Sequence, residues 1–205
     1  MNTNKTQFQS KYHIESARLK NWDYSAEAAY FVTICTKDKK HFFGKISAGK
    51  MILSAIGEIA AKEWQNTKTI RPNIKVDVWI VMPNHLHGII IVEPHCSAAL
   101  QQWKNKDPQE SQRNQFGPQS NNLASIIRGF KSATTKNIHI AGFNEFAWQA
   151  RYYDHVIRDE NELTRLREYI INNPKKWDLD KNNSENICKE VETHSSASLL
   201  GKARN

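Results

Sequence analysis

The chain has 205 residues, 39% of them hydrophobic, enough for one domain with a proper core plus tails. Lys and Arg total 29 against 21 Asp and Glu, a formal net charge of +8 that suits a polyanionic partner, most simply nucleic acid. Apolar runs fall short of the ~20 residues needed to span a membrane, the N-terminus lacks a signal-peptide core, and three scattered cysteines (Cys35, Cys96, Cys188) argue against a disulfide framework or a C-x-x-C zinc ribbon, so a reducing, cytoplasmic setting is expected.

Residues 1–28 are polar and mixed and read as an N-terminal arm, with Arg18 as a basic contact residue. Ala29 to Thr36 is aromatic and β-branched, which predicts a first strand. Lys37 to Gly49 is charged and holds two glycines, which suits a loop or short hairpin. Met51 to Asn66 places Ile52, Ile56, Ile59, Ala60 and Trp64 at helical spacing and predicts an amphipathic helix. Ile74 to Met82 alternates, with Val76, Val78, Ile80 and Met82 on one face, and predicts a second strand; His85 to Val92 predicts a third.

Residues 93–121 are rich in Gln, Asn, Ser and Pro and read as a flexible insertion, with a short helix around Ala98 to Trp103. Leu123, Ile126, Ile127, Phe130 and Ala133 mark a second helix, whose polar side carries Arg128 and Lys131. Phe146 to Ile157 predicts a fourth strand bearing Arg151. Asp159 then caps a last helix through Leu163, Leu166 and Ile170, with Glu162 completing a capping box and Pro174 as the stop. Beyond Trp177 the chain is Asn-, Ser- and Lys-rich, so residues 178–205 are expected to be a weakly ordered tail around a single domain at 29–177. The order of elements predicts an α+β fold of ferredoxin-like, split βαβ type: an antiparallel four-stranded sheet with helices on one face, plus a C-terminal helix.

Two local patterns carry chemistry. His85 and His87 are two apart on a strand, so both imidazoles face the same way while Leu86 faces the other. A rigid imidazole pair is a sound partial ligand set for a metal ion, although two strand histidines are as readily half-buried polar residues with hydrogen-bond partners. Ile89 and Ile91 continue the same face as apolar residues, so another element must cover it. The last helix carries Tyr169 and Asn173 four residues apart at the rim of its apolar stripe. If that helix is the cover, the phenol and the amide arrive beside the imidazoles. Tyr152 and Tyr153 compete with Tyr169 as nucleophiles, one of them expected in the core and the other on the surface.

With the stretches MPNHLHG, FAWQARYYDHVIRDE and REYIINNP in this order, the chain resembles the REP-associated tyrosine transposases, HUH-type single-tyrosine (Y1) enzymes related to the IS200/IS605 transposases. The resemblance runs from about Arg18 to Trp177, and the Gln/Asn-rich insertion departs from it. It implies that Tyr169 is the nucleophile and that His85, His87 and Asn173 hold a divalent cation, Mg²⁺ or Mn²⁺. It also implies nicking and strand transfer of hairpin-forming repeat DNA through a 5′-phosphotyrosine, by a monomer or a homodimer. Single-stranded or hairpin DNA is the expected partner, with Arg18, Arg128, Lys131, Arg151 and Arg158 as contact residues. Two alternatives stay open: a DNA-hairpin-binding protein without turnover, and a nickase of the replication-initiator kind.

Overall fold

The computed structural model describes residues 27–92 and 122–183. The N-terminal arm with Arg18, the insertion at 93–121 with its expected helix, and residues 184–205 of the expected tail lie outside the described residues. In chain order the elements are β1 (Ala28–Cys35), β2 (Gly44–Ser47), β3 (Lys50–Leu53), α1 (Ala55–Ile70), β4 (Ile74–Met82), β5 (His85–Val92), α2 (Leu123–Ile140), β6 (Tyr153–Ile157) and α3 (Glu160–Asn172). A 3-10 segment, Asn173–Leu179, follows α3.

Strands β4, β5, β1 and β6 form one sheet in that spatial order, antiparallel throughout, which is the ferredoxin-like arrangement expected from the sequence. The pleat sorts its side chains into two layers. On one face Tyr30, Val32, Ile34, Leu86 and Ile90 pack under Ile56, Ala60 and Trp64 of α1 and Ile126, Ile127 and Phe130 of α2. On the other, Ala29, Phe31, Ile89 and Ile157 meet Leu163 and Ile170 of α3. Each large apolar side chain so buried contributes roughly 1.5–3 kcal/mol, so α3 is fixed to the sheet by its own stripe. It is also anchored at its start and its middle. Asp159 accepts the Glu162 N–H as N-cap, and Arg167 donates to Asp77 on β4 at 2.7 Å.

Gly88, just after the histidine pair, is required by close approach. A Cβ there would lie 2.4 Å from the Trp64 indole, which crosses directly over β5.

Four expectations change. The first helix begins at Ala55, because Met51 to Leu53 pair with β2 in a hairpin turned at Ala48 and Gly49, both at positive φ; the helical spacing of Ile52 is incidental, and that side chain is 49% exposed. A register shift between Val76 and Trp79 turns β4 over, so Val76 packs with the α1/α2 layer and Val78 with the α3 layer, not on one face. The fourth strand is shorter, since Phe146 to Tyr152 is irregular and joins the sheet edge by one bridge, Thr36 to Trp148. Finally, Pro174 does not stop the chain's helical course. Asn173 keeps helical dihedrals (φ −57°, ψ −42°) ahead of it, and within the stretch expected as tail Asp180, Asn182 and Asn183 are buried.

Candidate active site

The turn at Pro83-Asn84 starts β5 with its first residues beneath the segment that follows α3. His85 and His87 are fully buried on the α3 face of the sheet, as their spacing requires. Their Nε2 atoms converge to 3.0 Å. The other nitrogen of each ring is already committed. Nδ1 of His85 lies 2.8 Å from Oδ1 of Asn84, whose amide nitrogen donates to the carbonyls of Lys39 (3.0 Å) and Asn182 (2.7 Å). With the amide orientation set by those two bonds, Oδ1 can only accept, so His85 Nδ1 carries the proton. Nδ1 of His87 meets Thr33 Oγ1 at 2.9 Å and a Val32 backbone bond.

His85 Nε2 therefore presents a lone pair towards His87 Nε2. Burial, with the nearby charges of Lys39 and His41, pushes His85 down to about 3. Burial and the His85 charge hold His87 well below the ordinary imidazole range. Both imidazoles are therefore held neutral at neutral pH, the form that ligates a metal ion. A third ligand atom is at hand: Asp180 is buried, and its carboxylate lies with the two imidazoles inside a sphere of mutual distances of 4.8 Å or less. Its Oδ2 is 4.0 Å from His85 Nε2, too long for a hydrogen bond, and a neutral imidazole makes no ion pair. The donor set of two imidazoles and a carboxylate could hold a metal ion.

The last helix brings the phenol. Tyr169 is 38% exposed, and its oxygen stands 3.4 Å from His87 Nε2. Its ring meets His87 at a centroid distance of 5.3 Å and Phe31 at 6.0 Å. Burial and the Asp180 carboxylate raise the phenol above its ordinary value, while a bond with the Asn173 side chain works against them. Asn173 is buried, donates through Nδ2 to Asp180 Oδ2 at 3.2 Å, and keeps its Oδ1 without a hydrogen-bond partner among the described residues. So Tyr169, His85, His87 and Asn173 come together in one chain. Asp180 and Asn84 join them, and sequence reasoning named neither. Asn84 stood inside the quoted motif; Asp180 lay past the expected domain end.

Outward from this cluster runs a groove of about 780 Å³. Its walls carry Lys39, Arg151, Arg165, Lys176 and Lys181. Of the expected contact residues that are described, the structure brings Arg151 alone here. Lys131 gives its ammonium to the carbonyls of Gln149 and Ala150, and burial lowers it. Arg128 is exposed on α2, across the sheet, and Arg158 is exposed beyond the far end of β6. Tyr152 packs partly against the α1/α2 core, whereas Tyr153 is exposed on the groove side.

The solved structure of a REP-associated tyrosine transposase bound to a REP hairpin shares this fold at a TM-score of 0.53 and 18% identity, over 82% of this chain and 77% of that one. No family model matches the chain. It is 38% identical over 178 residues to an uncharacterized protein of Haemophilus influenzae (strain ATCC 51907 / DSM 11121 / KW20 / Rd), covering 83% of this chain and 93% of the relative. The chain belongs to the same family as that protein.

Proposed function

We propose that the protein is a metal-dependent HUH single-tyrosine transposase that nicks and rejoins single-stranded DNA at hairpin-forming repeats, with Tyr169 as nucleophile. The observation that carries the reading is the phenol oxygen 3.4 Å from the inner nitrogen of an imidazole pair whose Nε2 atoms converge. Its likeness in fold to a transposase held on a REP hairpin supports the choice of hairpin DNA as substrate.

In this reading the Tyr169 oxygen attacks a backbone phosphorus. The bond from phosphorus to the 3′-oxygen breaks, the phenol proton leaves to solvent, and the departing 3′-oxygen takes up a proton. The strand is left as a 5′-phosphotyrosine and a free 3′-hydroxyl, and reversal on another 3′-end completes transfer without loss of the ester bond. A Mg²⁺ or Mn²⁺ ion held by His85, His87 and Asp180, with Asn173 beside them, would polarise the phosphate and offset its developing charge. Phe31 supports the ring of Tyr169, Asn84 holds His85 in the tautomer that leaves Nε2 free, Thr33 orients the His87 ring, and the groove lysines and arginines bind the backbone. Among the described residues no helix is long and apolar enough to cross a membrane, and a cytoplasmic, nucleoid-associated protein fits a DNA substrate.

The test is a covalent adduct. Wild-type protein incubated with labelled hairpin DNA and Mn²⁺ or Mg²⁺ is expected to give a band of protein-linked DNA that survives denaturation, and Tyr169→Phe none. An adduct that persisted in Tyr169→Phe would move the nucleophile to Tyr152 or Tyr153. Hairpin binding with no adduct from wild type would leave a binding protein without turnover.

A further inference from the structure

Tyr153 is a half-exposed aromatic ring, and single rings on a surface are ordinary. Its address is not. In the register of the sheet Tyr153 pairs with Thr33, and Thr33 pairs with His87, so the three side chains form one row across β6, β1 and β5. Two strand spacings, ~10 Å, separate the ends of that row. Phe31, in the next row, is a shared floor: its ring meets those of His87, Tyr169 and Tyr153 at 5.3, 6.0 and 6.4 Å. Tyr153 thus stands on the same apolar base as the nucleophile but is 50% exposed, on the wall of the basic groove.

The charge in that groove points to a polyanion. The carboxylate of Glu162 is taken by His155 at 2.9 Å and by the Arg158 N–H at 3.0 Å, and that of Asp180 by Asn173 and the Asn182 N–H. What is left facing the opening is cationic. Lys181 Nζ lies 5.8 Å from the Tyr153 ring centroid. At an exposed site such a contact is weaker than the stacking of a base on an aromatic ring. A base therefore displaces the ammonium, which is then placed to meet the phosphate that the base brings.

We propose that Tyr153 is the stacking platform for a nucleobase beside the scissile phosphate, and that Lys181 moves from the ring to the backbone when the base arrives. This rests on the reading of the protein as a single-strand DNA transferase and makes Tyr153 a positioning residue rather than a second nucleophile. A single-stranded segment bound this way runs from the phenol of Tyr169 over Phe31 to the edge strand.

The experiment uses the full chain and two labelled single strands, an oligothymidylate of roughly 10 nucleotides and an abasic strand of the same length and charge. Wild type is expected to prefer the oligothymidylate, and Tyr153→Phe to retain that preference. Tyr153→Ala and Tyr153→Leu are expected to bind the oligothymidylate about 5- to 100-fold more weakly and to lose the preference, with unchanged slope of affinity against salt. Lys181→Ala is expected to lower that slope. Leucine keeps the packing on Phe31, so its failure to stack separates the platform from a folding defect. Equal binding of both strands by wild type, or a preference that survives Tyr153→Ala and Tyr153→Leu, overturns the proposal. If either occurs while wild type still forms the Tyr169 adduct on hairpin DNA, only the platform falls; loss of the adduct and of single-strand binding together takes the transferase reading with it.

Discussion

Nδ1 of His85 points at Oδ1 of Asn84 from 2.8 Å, and the same Asn84 side chain clasps the backbone on two sides, at Lys39 and at Asn182. One buried amide thus sets the tautomer of a candidate metal-binding imidazole and seats the segment that carries Asp180. Asn84→Ala is expected to lower divalent-cation affinity about 10- to 100-fold. It also strands two buried carbonyls, at a cost of about 1–3 kcal/mol each. Calorimetric titration with Mn²⁺ and urea unfolding separate the two effects; unchanged affinity would show that the tautomer is held by something else.

Cation binding is expected to stabilise the fold, because the three donors converge only in the native chain. At a hundredfold excess over the dissociation constant, Mn²⁺ adds about 2.7 kcal/mol, a rise in Tm of roughly 5–10 °C, and EDTA reverses it. His87→Ala is expected to abolish the rise and Asp180→Asn to reduce it. A Tm indifferent to Mn²⁺ and EDTA would remove the metal centre.

Gly88→Ala forces a methyl group against Trp64, a fully buried indole. Overpacking of this kind costs about 1–3 kcal/mol. The expected outcome is a lower urea midpoint with altered tryptophan fluorescence, and a neutral result would mean that the α1 layer shifts freely on the sheet.

Glu162 ties β6 to the start of α3. Partial burial would raise its carboxyl, but the Arg158 N–H and His155 outweigh that and hold it below the usual range. A depressed native value contributes stability that is present above the unfolded-state pKa of about 4.3 and disappears as pH falls through the lower native value. Glu162→Gln is therefore expected to destabilise at neutral pH, by about 1 kcal/mol, with the gap to wild type closing in acid. Urea unfolding at several pH values tests this, and a gap that widened in acid would reverse the assignment.

The sequence made the sheet and the imidazole pair legible because both rest on period-two patterns, seen directly in Ile74–Met82 and His85–Val92. The covering helix was legible too, since Leu163, Leu166 and Ile170 form one apolar stripe with Tyr169 at its rim. Three features were not. The bulge between Val76 and Trp79 leaves no mark in a run of β-branched residues. The irregular course of Phe146 to Tyr152 follows from aromatic packing of Phe146 and Trp148 against Phe43, a contact across about a hundred residues of chain. Asp180 sits in an Asn- and Lys-rich stretch with no periodicity, and is placed by Asn84 from nearly a hundred residues away. Long-range polar anchors of this sort have no local signature. The same is true of the basic groove, where Lys39 is delivered by a turn in which Asp38 and Lys39 both have positive φ.

Tyr169, both imidazoles and Asp180 all come from one polypeptide, so under the proposed reaction assembling the cluster is expected to require no encounter between two copies. The rate of adduct formation per molecule is expected to stay level on dilution, with first-order dependence on protein. In a mixture of a Tyr169→Phe chain with a His87→Ala chain, the two defects are expected not to complement each other.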